Sequence, residues 1–202
     1  MTSSPVQLHL CQDAAADSLL SRDPLALLIG MLLDQQVPME KAFRGPAVLL
    51  ERLGAGADAS LDAEAVAGHP DLAGLFAQVP AIHRFPRSMA DRVAALCAYL
   101  VEHHNGRAAA LWESADTGRE LLRRLTALPG FGDQKARIFV ALLGKQLGVR
   151  PPGWREAAGS YGDDGARRSI ADVTDPASLL EVRAFKQESK RQAKERPAGA
   201  AR

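Results

Sequence analysis

The sequence predicts an all-α protein with little or no sheet, and three features lead there. Apolar residues recur at helical spacing through most of the 202 residues, residues that start and stop helices bracket those runs, and one short stretch alternates. That stretch comes first: Val6, Leu8 and Leu10 alternate with Gln7 and His9, so residues 1–22 read as a brief extended piece and a polar, Ala-rich helix.

Asp23 then offers an N-cap oxygen, and Pro24 suits the first helical position because its missing N–H leaves no bond unmade. A helix over residues 25–36 is apolar almost all round and therefore central. Pro38 breaks it, and residues 39–53 resume helical spacing until Gly54-Ala55-Gly56. Short helices follow over 62–67 and 70–79. A longer one opens at Pro86-Arg87-Ser88, carries Ala90, Val93, Ala94, Cys97 and Leu100 on one face, and ends at Asn105-Gly106. Residues 117–127 are amphipathic through Leu121, Leu122 and Leu125. Residues 133–147 align Ala136, Phe139, Val140, Leu143 and Leu147, until Gly148 and Pro151-Pro152-Gly153 stop the helix. Gly159, Gly162 and Gly165 with Asp163-Asp164 then make a loop-rich stretch, and residues 178–194 form a terminal helix that frays into the chain end. The expected organisation is an N-terminal segment (1–22), a helical domain (23–177) and a basic C-terminal helix and tail (178–202).

Composition narrows the class. An apolar fraction of 47% and a charged fraction of 24% are ordinary for a globular protein. The longest apolar run, 25–33, falls short of the roughly 20 residues a membrane span needs, and no signal-peptide pattern opens the chain, so a cytoplasmic protein is expected. Cys11 and Cys97 are read as two reduced thiols; two cysteines cannot hold a four-cysteine iron–sulfur cluster or make a zinc site alone. His103-His104 reads as a solvated helix end, since adjacent helical residues diverge. The net charge of +1 does not advertise a nucleic-acid binder. From Arg183 onward, however, Arg183, Lys186, Lys190, Arg191, Lys194, Arg196 and Arg202 face only Glu188 and Glu195. Such a tail either adds salt-sensitive attraction to phosphates or is solvated and disordered, and the second is expected here.

Leu128-Pro129-Gly130-Phe131-Gly132, set between two helices, is the most specific signal. A turn this tight needs residues that tolerate positive φ, and a glycine lets backbone N–H groups approach a phosphate without an intervening Cβ. The second helix starts there, so its free N–H groups and dipole favour an anion. Leu128 and Phe131 anchor the hairpin on the core, and Lys135, one turn on, adds a charge near the backbone. Read without other context, the same residues are equally a plain helix–helix turn.

With that hairpin, residues 24–148 resemble the HhH-GPD superfamily of base excision DNA glycosylases, which includes endonuclease III and 3-methyladenine glycosylases. Asp23-Pro24-Leu25-Ala26-Leu27-Leu28-Ile29 resembles the family's opening core helix, and Leu32-Leu33-Asp34-Gln35-Gln36 its end. Arg87-Ser88-Met89-Ala90 through His104-Asn105-Gly106 resembles the helix before the hairpin. The resemblance implies two helical lobes with a cleft between them and double-stranded DNA as partner. Gly130, Phe131, Gly132, Gln134 and Lys135 would lie at the DNA backbone. Gln36 would help fill the space left by a flipped base or read the partner base; without the resemblance it is a solvated helix end. It also implies a monovalent cation, K+ or Na+, on the carbonyls of Thr126, Leu128 and Phe131.

The chain departs from the family at two catalytic positions. Where bifunctional members carry a Schiff-base lysine stands Gln134, which has no amine nucleophile; Lys135 lies about 100° further round the helix, and no lysine-dependent lyase activity is expected. Where the family keeps an aspartate, this chain reads Val149-Arg150-Pro151-Pro152-Gly153-Trp154-Arg155-Glu156. Glu156 is the nearest acid, with Asp163 and Asp164 beyond it. Glu156 either takes the aspartate's part or is an exposed helix-start residue, and Trp154 either stacks on a flipped base or caps the core. Tyr161, Arg167 and Arg168 follow and are candidates for the cleft. No iron–sulfur cluster is expected. The expected function is a monomeric, monofunctional DNA N-glycosylase associated with the nucleoid; the alternative is a DNA-binding protein that has lost its catalytic acid.

Overall fold

The computed structural model describes residues 6–56 and 58–195, with side chains as far as Gln192; residues 1–5, 57 and 196–202, including the expected frayed end with Arg196 and Arg202, lie outside the described residues. The protein is all-α. Its helices are α1 Ala14–Arg22, α2 Pro24–Leu33, α3 Met39–Arg52, α4 Ala63–Ala67, α5 Leu72–Ala77 and α6 Pro86–His104, then α7 Ala110–Glu113, α8 Gly118–Thr126, α9 Asp133–Gln146, α10 Trp154–Ala158 and α11 Pro176–Glu195. Two 3-10 turns, Gly159–Tyr161 and Ile170–Asp172, interrupt the loop-rich stretch. No described helix is long and apolar enough to cross a membrane. Helices α1–α6 pack mainly on one another and α7–α11 likewise, while one continuous core runs through both groups.

The alternating segment near the N-terminus forms no strand. Leu8 and Leu10 are fully buried, and α1 supplies the acceptors that a neighbouring strand would otherwise provide. The amides of Leu10 and Cys11 donate to Asp17 Oδ1 at 2.8 and 2.9 Å, and Leu8 N donates to Ser21 Oγ at 2.9 Å. Extended backbone thus satisfies its donors without a sheet. Cys11 and Cys97 are both free and buried, and burial pushes each thiol up to about 12.

The core is organised around α2. Every residue from Leu25 to Leu33 is buried, as its unbroken apolar sequence requires. Asp23 serves both ends of its environment: Oδ1 accepts from Leu25 N and Ala26 N at 2.9 and 3.2 Å, and Oδ2 accepts from Leu61 N at 2.7 Å. The helix stops at Leu33, three residues short of the expected end, because residues 34–36 turn away and Gln36 adopts φ 55°.

α11 departs further from expectation. The basic terminal run is not a free solvated tail over its described part. Leu179 and Val182 are buried at its base, and Arg183 and Lys186 form ion pairs with Glu40 and Asp34 on the far side of the molecule's cleft.

Asp23→Ala is expected to lower unfolding stability by about 2–4 kcal/mol, because it removes a cap and strands the buried Leu61 N–H. Asp13→Ala removes the α1 cap, a bond to Ala16 N at 3.1 Å, together with an exposed ion pair to Arg44 at 3.2 Å, and should cost about 1 kcal/mol. Equal losses in urea titrations would show that the Leu61 bond contributes nothing.

Candidate functional site

The hairpin closes as its glycines require. Gly130 has φ 81°, and a Cβ there would fall 2.5 Å from Leu32 Cδ1, so the turn rests directly on the end of α2. Leu128 and Phe131 are buried, and Phe131 meets Phe139 edge-on at 6.1 Å between centroids. Gly132 is the N-cap of α9 with φ −83°; it is exposed, no side chain caps the helix, and no atom lies within 4 Å of where its Cβ would be. The first N–H groups of α9 are therefore approachable from outside.

Beside the hairpin, α2 ends in the 34–36 turn. Gln35 is pinned: its Nε2 donates to Leu32 O at 2.9 Å and its Oε1 accepts from Arg92 at 3.0 Å. Its carbonyl accepts from His83 Nε2 at 2.9 Å, and because Phe85 N donates to His83 Nδ1 at 3.1 Å, the ring proton sits on Nε2. Burial holds His83 below the usual histidine range. Gln36 follows, exposed and in the left-handed region that residues with a Cβ rarely adopt. Strain of this kind persists where the surroundings over-determine it and gathers at functional sites.

Lys135 is not directed outward towards a ligand backbone, as expected. Its Nζ turns in and donates to Met31 O at 2.7 Å and Leu32 O at 2.8 Å, closing the C-terminus of α2 from a helix over a hundred residues away in sequence. Burial pushes its amine down to about 8, against the pull of Asp34 and with added repulsion from Arg92. Gln134 and Lys135, expected on diverging faces, both border the same cleft; Gln134 Nε2 donates to Tyr161 Oη at 2.9 Å.

That cleft has a volume of about 1170 Å³ and is bounded by the 34–36 turn, the start of α9, Tyr161 and α11. Arg84, Lys135, Arg168, Arg183, Lys186 and Lys190 line it, against two carboxylates, Asp34 and Glu40. In a chain whose net charge is only +1, this lining holds more cations than carboxylates. Asp34 follows the last residue of α2 beside the 34–36 turn, with a side chain 13% exposed and Lys186 Nζ at 3.7 Å. Two aromatic rings, Tyr161 and Phe185, share the walls, and Arg168 lies 5.6 Å from the Phe185 centroid.

Several expected site residues are elsewhere. Trp154 is buried and packs flat on α9 at Gly144, where a Cβ would fall 2.3 Å from its ring; it is a core residue, with Arg155 stacked outside it at 4.7 Å. Glu156 is exposed on α10 and does not border the cleft, because Trp154 and Ala157 take the inward face of that short helix. Asp163 and Asp164 are exposed, the latter paired with Arg155 at 2.9 Å, and Arg167 pairs with Glu181. Asp34 went unread in the sequence as a site residue, although it closes the apolar run of α2; its neighbour Gln36 marked the place. No group of three or more metal-ligating side chains occurs among the described residues.

No known protein family, no curated protein and no solved structure matches this chain.

Gly132→Ala adds a methyl to open space and should leave the melting temperature within a few degrees of the parent. Gly130→Val forces a branched residue to φ 81° against Leu32 and should destabilise the protein markedly. Similar losses in the two variants would contradict the packing of the hairpin. For His83, the folded state resists protonation, so its contribution to stability is full above about pH 6.5 and is lost as pH falls through the lowered folded value. His104 is lowered as well. The difference in urea midpoint between the parent and His83→Gln across that range isolates the His83 share, and parallel curves would refute it.

Proposed function

We propose that this protein grips duplex DNA through the 128–133 hairpin and acts there as a monofunctional DNA N-glycosylase, releasing a damaged or mispaired base. The observation that carries this reading is a coincidence at one cleft. An unobstructed, glycine-capped helix start, a strained and exposed Gln36, and six cations around a single deep space lie side by side. Backbone N–H groups and cations favour phosphates without reading base sequence. A base can be treated chemically only after it leaves the stack, which calls for a cleft to receive it and a side chain to hold the gap. Gln36 is the gap-filling residue in this reading.

Asp34 takes the part first expected of Glu156. A carboxylate beside the sugar stabilises positive charge as the glycosidic bond breaks and orients water, as one of the paired carboxylates does in glycoside hydrolysis. Lys135 donates to two carbonyls, and Gln134 has no amine to offer, which favours attack by water over attack by an amine. Of the carbonyls expected to hold a monovalent cation, Thr126 O and Phe131 O accept from no backbone N–H among the described residues, which supports that part of the reading, while Leu128 O already accepts from Phe131 N at 3.0 Å. Such an ion would supply positive charge to the hairpin and no chemistry to the base. The protein acts as a monomer on the nucleoid in this reading. A second reading, a duplex-binding protein without hydrolysis, is favoured by the Lys186–Asp34 ion pair, which occupies the carboxylate.

The test is base release from duplexes carrying uracil, alkylated purines, oxidised bases or mispaired adenine. Strand breakage after alkali alone, with no adduct trapped by borohydride, is the expected result. A trapped adduct would show that an amine of the protein attacks the sugar and would overturn the monofunctional reading, and duplex binding with no release from any substrate would leave the second reading. Asp34→Asn should reduce release by about a hundredfold or more without loss of duplex affinity; unchanged turnover would remove Asp34 from the chemistry.

A further inference from the structure

The terminal helix α11 supplies six of the residues around the cleft, yet its hydrophobic attachment is confined to its first turns. Leu179 and Val182 are buried, Ser178 Oγ accepts from Thr174 N and Asp175 N at 2.9 and 3.0 Å, and the Ile170–Asp172 turn is its packing partner. Beyond Val182 the helix is held to the opposite wall by charge: Arg183 to Glu40, and Lys186 to Asp34 at 3.7 Å. Phe185, between them, is 41% exposed.

Arg183, Lys186 and Lys190 fall at i, i+3 and i+7, so they form one stripe along the helix, and all three face the cleft. The carboxylate that receives Arg183 is poorly satisfied. Glu40 Oε2 is buried and accepts no hydrogen bond among the described residues. Lifting the helix would expose that oxygen to water, which offsets part of the ion pair lost. The two cations are themselves 46% and 35% exposed, against 18% and 13% for their carboxylates, so water already reaches the cation side of each pair.

We infer that α11 is a latched phosphate-binding arm: in the free protein Glu40 and Asp34 hold its basic stripe over the cleft, and on binding the stripe exchanges those carboxylates for backbone phosphates of the nucleic acid. This rests on the DNA-binding reading above and adds a second contact surface across the cleft from the hairpin. Phosphate is the stronger competitor because a duplex presents a dense, regular array of charges whose release of counterions adds to the attraction. The latch also keeps Asp34 paired until DNA has arrived, which links binding to exposure of the carboxylate.

Two measurements on the full chain test the arm, using an undamaged duplex as probe. Glu40→Gln should speed amide hydrogen exchange over residues 183–192 in the free protein and tighten duplex binding about three- to fivefold at constant salt. Arg183→Gln should also speed that exchange, but should weaken binding and reduce the slope of log affinity against log salt by about one; Arg183→Lys should restore the slope. Unchanged exchange in Glu40→Gln overturns the latch, and an unchanged salt slope in Arg183→Gln overturns the phosphate contact. If Gly132→Ala weakens binding while Arg183→Gln does not, the arm fails alone. If the parent binds no duplex at low salt, the DNA reading fails and the arm with it.

Discussion

The C-terminus of α2 is the constraint on which the rest of the site depends. A helix buried along its whole length still ends in carbonyl groups that need donors, and no water reaches them freely. Two of these, on Met31 and Leu32, are met by Lys135 from α9, and Leu32 O also takes the Gln35 amide. The ammonium complements the negative end of the helix dipole. It also fixes the start of α9, and hence the hairpin, against the 34–36 turn. Gly130 tightens the same joint, since only a residue without Cβ lets the turn lie on Leu32. The spacing between the uncapped start of α9 and Gln36 is thus set by a core requirement.

Electrostatics follow from this joint. Once α9 and α2 are locked together, cations from the 84 region, from α9, from the 168 loop and from α11 converge on one cleft. A chain of near-zero net charge thereby gathers six cations and two carboxylates around one cleft, and such local arrangement, more than total charge, sets the field there. The two carboxylates inside that field are held by α11, so the same helix shapes the field and masks part of it.

The sequence made most of the helical order legible. Asp23-Pro24, Thr117, Asn105-Gly106 and the 128–132 hairpin each act within a few residues, and each appears where expected. The four-residue helix α7 left no readable period, and α5 is shorter than its apolar run because Asp71 caps it late. The candidate site was only half legible. The hairpin glycines were readable because close approach is a local property, whereas Gln36 was reached through the resemblance of residues 32–36 and its left-handed backbone fell in a stretch expected to be helical. For Glu156 and Trp154 the sequence left two readings each, and only the packing of α10, which turns Trp154 into the core and Glu156 out to solvent, chose between them.

By itself the sequence determined the fold class, the helix boundaries to within a few residues, the buried character of α2 and the hairpin's geometry. These depend on periodicity, capping and φ preference, which neighbouring residues decide among themselves. Tertiary structure alone decided that Lys135 serves a helix end instead of facing outward, that Asp34 and Glu40 border one cleft, and that a basic run resembling a free tail crosses to them. Each of these is a long-range pairing of a charge with whatever partner the packed core brings within a few ångströms, and no local pattern encodes the partner.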